Sequence, residues 1–200
     1  MLKRTKSYLL LTMVVLTGFA GSIDVGSLSP KERRVLVNQL KDSKKSILES
    51  LEGLNDAQVN FKPSADIASI RENLDQVINY EQNILKLTQN RLNHPINIEE
   101  RRMLTVPDEK LLQLSTNNQH YCCLEKPAFK DIEETVKEFK TGRVAMVKFV
   151  KTTTDDLRNS VLRINNQHVD AYQALLILSN HANQHLQAIE KIKLHPNFPK

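Results

Sequence analysis

Tryptophan is absent from this 200-residue chain, glycine occurs 5 times, and aromatic residues make up 5% of it. Leucine, lysine, glutamate, glutamine and asparagine fill the space instead, a composition that favours helix over sheet. No stretch shows strand alternation and no segment repeats. The hydrophobic fraction of 40% is enough for one bundle core, and the length suits one domain with an extra segment. Cysteine is confined to Cys122 and Cys123. A bridge between adjacent residues would close a very small ring, and the CxxC spacing of redox and zinc sites is missing. The two read as neighbouring thiols in a loop.

Strong charge of one sign is also lacking. The formal net charge is +5, but Lys3, Arg4 and Lys6 lie in the first six residues, so a chain cut near residue 22 carries 5 − 3 = +2. A weakly basic chain with few aromatics carries no nucleic-acid footprint, and no nucleic-acid partner is expected. Residues 1–22 have a basic start, the apolar run YLLLTMVVLTGFA and then small residues, the form of a secretory signal. Candidate cuts follow Ala20 or Ser22; an uncleaved amino-terminal anchor is the alternative. The run is short for a membrane span, and no cysteine near the cut suggests a lipoprotein. The expectation is a signal peptide over 1–22 and one domain over 23–200, periplasmic or secreted, with no stable membrane span after cleavage.

Within that domain the spacing predicts four long helices. Ser29-Pro30-Lys31-Glu32 is a capping box with proline at the first helical position, and Leu36, Leu40, Ile47, Leu51 and Leu54 follow at helical steps. Val59 and Phe61, before the Pro63 breaker, are expected to plug the end of the core. Ser69-Ile70-Arg71-Glu72 caps a second helix, which runs to Asn93-His94-Pro95. Residues 94–129 are irregular, with a short helix after Pro107; a connection this long suggests a crossover. The third helix spans roughly 130–154, and the fourth starts at Asp170 and ends before Pro196 and Pro199. The fold class is all-α, a four-helix bundle, and the crossover between the second and third helices permits an up-down-down-up order.

Chemistry is concentrated on the fourth helix. His181 and His185 stand four residues apart within the apolar series Leu178, Ile189, Ile192, so both rings lie on one face. Two neutral imidazoles so placed suit one divalent transition metal such as zinc, nickel or iron. A catalytic centre needs a third protein ligand and an open position. The competing reading is two core-facing histidines hydrogen-bonded to neighbouring helices. No serine or cysteine nucleophile lies beside a base at recognisable spacing. Tyr172 reads as an amphipathic plug and Asn183 faces away from the pair.

LEGLNDAQVNFKP (51–63), SIRENLDQVINYEQ (69–82), FKDIEETVKEFKTGR (129–143) and the closing stretch 170–200, with HxxxH and NFPK, together resemble the DinB-like (DinB/YfiT-like) superfamily over nearly all residues after 30. The resemblance implies a four-helix fold and metal-dependent hydrolase or thiol-dependent transferase chemistry on a small-molecule substrate. It implies a metal triad of one histidine on the second helix and the HxxxH pair on the fourth. His181 and His185 match the pair, but the position seven residues after Ser69 is Gln76, a neutral and weak ligand. Candidate replacements are Tyr80, Glu81 and His120. The alternative is a non-catalytic binding or stress-related scaffold with a degenerate metal site. Apolar residues beyond one stripe (Val35, Val37, Val144, Leu178) suggest a homodimer face unless the crossover covers them.

Overall fold

A computed structural model describes residues 28–111, 129–164 and 166–200. The expected signal segment, His120, Cys122 and Cys123 lie outside the described residues. Among those described, seven helices and one small hairpin follow in order: α1 Pro30–Leu51, α2 Asp56–Val59, α3 Ile70–Leu92, α4 Ile98–Arg101, α5 Asp108–Leu111, α6 Ile132–Thr152, β1 Val161–Ile164, β2 Gln167–Asp170 and α7 Ala171–Lys193. The fold is all-α apart from that hairpin.

Local chemistry sets the helix starts. Ser29 accepts from the Glu32 amide while Glu32 bonds back to the Ser29 amide, and Ser69 with Glu72 repeats the arrangement on α3. Asp170 with Gln173 does the same for α7. Each box satisfies two backbone donors that a helix start leaves open.

The four long helices pack as a ring in which α1 and α3 each touch both α6 and α7. Side-chain contacts give their directions. Ser50 near the end of α1 bonds Glu190 near the end of α7, so these two run parallel. Arg33 at the start of α1 reaches the carbonyls of Val150 and Thr153 at the end of α6, so that pair is antiparallel. Arg71 at the start of α3 bonds the Phe129 carbonyl just before α6 at 2.5 Å, so α3 and α6 run together. The order is up-down-down-up.

Two features depart from the sequence reading. Residues 161–170 are not a plain connection but an antiparallel hairpin in register Val161↔Asp170 to Ile164↔Gln167. Its strands are four residues long, too short to show alternation, and its turn uses Asn166 at φ 61°; asparagine tolerates that left-handed conformation better than most residues. Val37 and Leu178 are buried, so of the four residues offered as a dimer face only Val35 and Val144 are exposed. Val59 does close the core end, against Ile70, Ile189 and Ile192, with Phe61 and Phe198 packed beside it.

An ion pair sits at the centre of the ring. Arg143 of α6 is wholly buried and its Nη2 lies 2.5 Å from Oε1 of Glu81 on α3, itself 4% exposed. Arg143 Nη1 also donates to the Leu40 carbonyl at 3.2 Å and the Ser43 hydroxyl at 3.0 Å on α1. One guanidinium therefore ties three helices. At the end where α7 begins, Arg158 performs a similar service. It donates to Glu32, Asp108 and Asp170 at 2.5–3.1 Å and lies 4.0 Å over the Tyr172 ring, so Tyr172 is a platform for a cation rather than a simple plug. Burial raises the Asp108 carboxyl, but hydrogen bonds from Arg158 and Gln173 outweigh it and hold the group below its usual range.

Removing one partner of a buried ion pair strands the other charge and costs about 3–5 kcal/mol. Glu81→Leu and Arg143→Met are each expected to lose stability on that scale in urea unfolding. The double variant is expected to recover most of the loss; single losses under about 1 kcal/mol would mean that the pair does not hold the bundle centre.

Candidate metal centre

His181 and His185 stand on α7 where it faces α3. His185 is half-buried and His181 is 9% exposed. Their Nε2 atoms are 3.2 Å apart. Metal–imidazole bonds of about 2.0–2.1 Å at a tetrahedral angle put two ligand nitrogens about 3.3 Å apart, so the pair already has the bite of a chelate. The same distance serves a hydrogen bond from one ring to the other.

The tautomer of His185 follows from its neighbours. The Asn73 amide nitrogen donates to the carbonyls of Ala68 at 3.2 Å and Ser69 at 2.8 Å, which turns its Oδ1 toward the site as an acceptor. His185 Nδ1 lies 2.8 Å from that oxygen and so carries the proton, leaving Nε2 with a free lone pair. Outer hydrogen bonds of this kind orient metal-binding histidines. His181 lacks such support: its Nδ1 is buried without a partner. The Tyr80 ring stacks on it, with centroids 4.0 Å apart at 27°. When the rings bond each other, His181 donates from Nε2 and its Nδ1 is an orphan acceptor. When both Nε2 lone pairs face a metal, Nδ1 is an orphan donor.

Burial, followed by the positive charges of His185 and Arg143, pushes the His181 imidazole down to about 3. Burial pushes His185 down to about 4. Both rings are therefore neutral at physiological pH, and a metal displaces no proton on binding. The Arg143 charge that disfavours protonated His181 also disfavours a dication.

The third position is where sequence and structure part. Gln76 is exposed and makes no hydrogen bond to either ring; α3 presents Asn73 and Tyr80 to the pair instead. At about 100° per residue, position 76 lies about 60° round the helix from position 73, outside the buried arc of Asn73, Val77, Tyr80 and Ile84. Of the replacements, Tyr80 stacks on His181 through its ring, and Glu81 is committed to Arg143. No group of three or more His, Cys, Asp or Glu side chains suited to a metal occurs among the described residues. Among the described residues, the pair fits two-point attachment of a metal and no third ligand is turned to it. Sequence reasoning missed Asn73. Its signal was its spacing: it lies seven residues before Tyr80, on the inner face of α3.

Four long helices in up-down-down-up order, with an inward HxxxH pair on the last, define a helical-bundle protein with a candidate metal pair. The model of the DinB superfamily matches residues 39–189, and the chain belongs to that superfamily. No curated protein matches the chain, and no solved structure does.

The neutral rings carry a pH signature. Their folded values lie below the unfolded 6.5, so the native state binds fewer protons and their contribution is lost as pH falls from about 6.5 toward 4. Each ring is expected to cost about 1.4 kcal/mol per pH unit in that window. The double variant His181→Leu, His185→Leu should therefore lose much less stability than the parent between pH 6.5 and 4.5. Parallel losses in the two proteins would show that the rings titrate normally.

Proposed function

We propose that this chain is an exported, metal-binding member of the DinB superfamily that holds one divalent transition metal through His181 and His185, with no third ligand among the described residues. In this reading it acts as a binding protein rather than as a metal-dependent hydrolase or thiol transferase. The 3.2 Å separation of the two Nε2 atoms, with the His185 lone pair freed by Asn73, is the observation that supports it. Export rests on the composition of residues 1–22 alone.

The reading against catalysis rests on the donor set. Activating a water or thiol needs a metal held firmly with one position open. Neither Gln76 nor Glu81 is turned to the pair. The side chains do have a defined task without a third ligand. Asn73 fixes one tautomer, the Tyr80 ring limits the movement of His181, and burial keeps both imidazoles unprotonated.

A four-ligand zinc site has an apparent binding energy of about 10–16 kcal/mol, so two imidazoles should supply about half, a Kd on the order of 10⁻⁴–10⁻⁶ M. Calorimetric titration of the untagged chain with zinc or nickel is expected to give one site in that range, and His185→Ala should abolish it. Asn73→Ala should weaken binding about tenfold by freeing the ring. Nanomolar affinity, or metal that co-purifies in stoichiometric amount, would reveal a third ligand and restore the enzymatic reading. No heat and no shift in melting temperature with millimolar metal would leave the pair as a hydrogen-bonded core element.

A further inference from the structure

The small net charge conceals a segregated one. Arg34, Lys41 and Lys45 on α1 and Lys140, Lys148 and Lys151 on α6 are all exposed. The bonds from Arg33 to the Val150 carbonyl and from Arg143 to the Leu40 carbonyl fix the register of these antiparallel helices. In that register Arg34 lies level with the turn holding Lys148 and Lys151, and Lys45 with the turn holding Lys140. Lys41 lies beside Val144, which is 59% exposed. Helical phase puts all six cations on the outward side of the α1–α6 seam. The acidic groups near them are Asp42 and Glu49 on α1, the latter 3.6 Å from Lys45, Glu133 in the first turn of α6 and Asp155 just past its end, so the cations outnumber them.

We infer that this α1–α6 face docks on a membrane surface rich in anionic lipid. The face is two antiparallel rods about 32 Å long lying side by side, a shape that suits a plane. Among the described residues it exposes no aromatic ring on which a nucleic-acid base stacks, since Phe139 is buried and Phe149 half-buried. Its apolar elements are the exposed Val144 and the lysine stems, which lie along a headgroup layer with their amines toward phosphate. In the exported reading, the signal segment over residues 1–22 delivers the chain to the far side of a membrane, beside the lipid headgroups this face would meet. Lysine and arginine held at an anionic leaflet add attraction that salt weakens. The inference is independent of the metal reading, since the histidine pair faces α3.

The test is flotation of the full chain with vesicles rich in phosphatidylglycerol and with vesicles of phosphatidylcholine alone. Residues 1–22 carry Lys3, Arg4 and Lys6 and add an anionic preference of their own, which is the same in the parent and in both triple variants and drops out when these are compared. The parent is expected to prefer the anionic vesicles. The triple variant Lys41→Gln, Lys140→Gln, Lys148→Gln should reduce that preference by about a hundredfold. A second triple, Lys86→Gln, Lys110→Gln, Lys191→Gln, removes the same charge from other faces and should leave the ratio within about twofold. Absence of any preference, or equal loss in the two triples, would overturn the proposal. So would duplex DNA binding at the same salt more tightly than vesicles and losing that binding in the first triple alone, because the occupant would then be a different polyanion. Circular dichroism of both triples checks that each is folded.

Discussion

The contact between Arg143 and Glu81 fixes how the bundle is rotated. A guanidinium with no solvent exposure needs both its charge and its donors answered inside the protein. Glu81 answers the charge, while Leu40 and Ser43 take the donors of one terminal nitrogen. The consequence for α3 is direct. Turning Glu81 toward α6 presents Asn73 and Tyr80 to α7 and leaves Gln76 about 60° round the helix from Asn73, outside the interior arc. Rotating α3 to bring Gln76 to the imidazoles would drag Glu81 off Arg143. The ion pair and a three-ligand site that includes position 76 therefore compete for the angle of one helix.

Much of the architecture was legible because it is local. Capping boxes at Ser29 and Ser69 and the proline-bracketed tail are written within a few residues, and the structure starts α1 and α3 where they say. The HxxxH pair was equally plain, since an i, i+4 spacing decides a shared face without reference to other helices. The long-range partners were not legible. Nothing in the residues around position 143 marks that arginine as interior, and in a chain with 28 lysines and arginines it reads as one more surface charge. Gln76 was assigned by counting from Ser69, but counting along a helix does not fix its rotation. The hairpin was missed for a different reason: its pairing is held by a two-residue turn and by Arg91, which bonds the Val161 carbonyl at 2.7 Å from another element.

Arg158 sets the other end of the molecule by the same logic, with less burial. Its three carboxylates come from α1, α5 and the start of α7, which are far apart in sequence. Asp170 has two duties there. It caps α7 through one oxygen and accepts from Arg158 through the other. That couples the first turn of α7 to the network, and it is one reason the helix carrying the histidines starts at a defined height. Lys193 and Glu190 meet Ser50 at the opposite end, so α7 is tied to its parallel neighbour α1 at its far end by hydrogen bonds from charged groups as well as by apolar contact.

These ties bear on what the imidazole pair is able to become. A ring of four helices gripped at its middle by Arg143 and at its ends by polar clusters has little freedom to rotate one member for an additional ligand. The pair has instead been made compatible with burial: both rings are neutral, one tautomer is fixed by an amide, and one face is covered by tyrosine. Two neutral imidazoles lose far less hydration on burial than two charged ones, so they persist in the interior whether or not a metal joins them. The Nδ1 of His181 is unmatched in either state, as an acceptor when the rings bond each other and as a donor when both Nε2 lone pairs point the same way. A pair built only to fill the core would gain by giving that nitrogen a partner. Its lack of one, beside a fully supported His185, makes the site asymmetric, with one ring held by a hydrogen bond to Asn73 and the other by stacking on Tyr80.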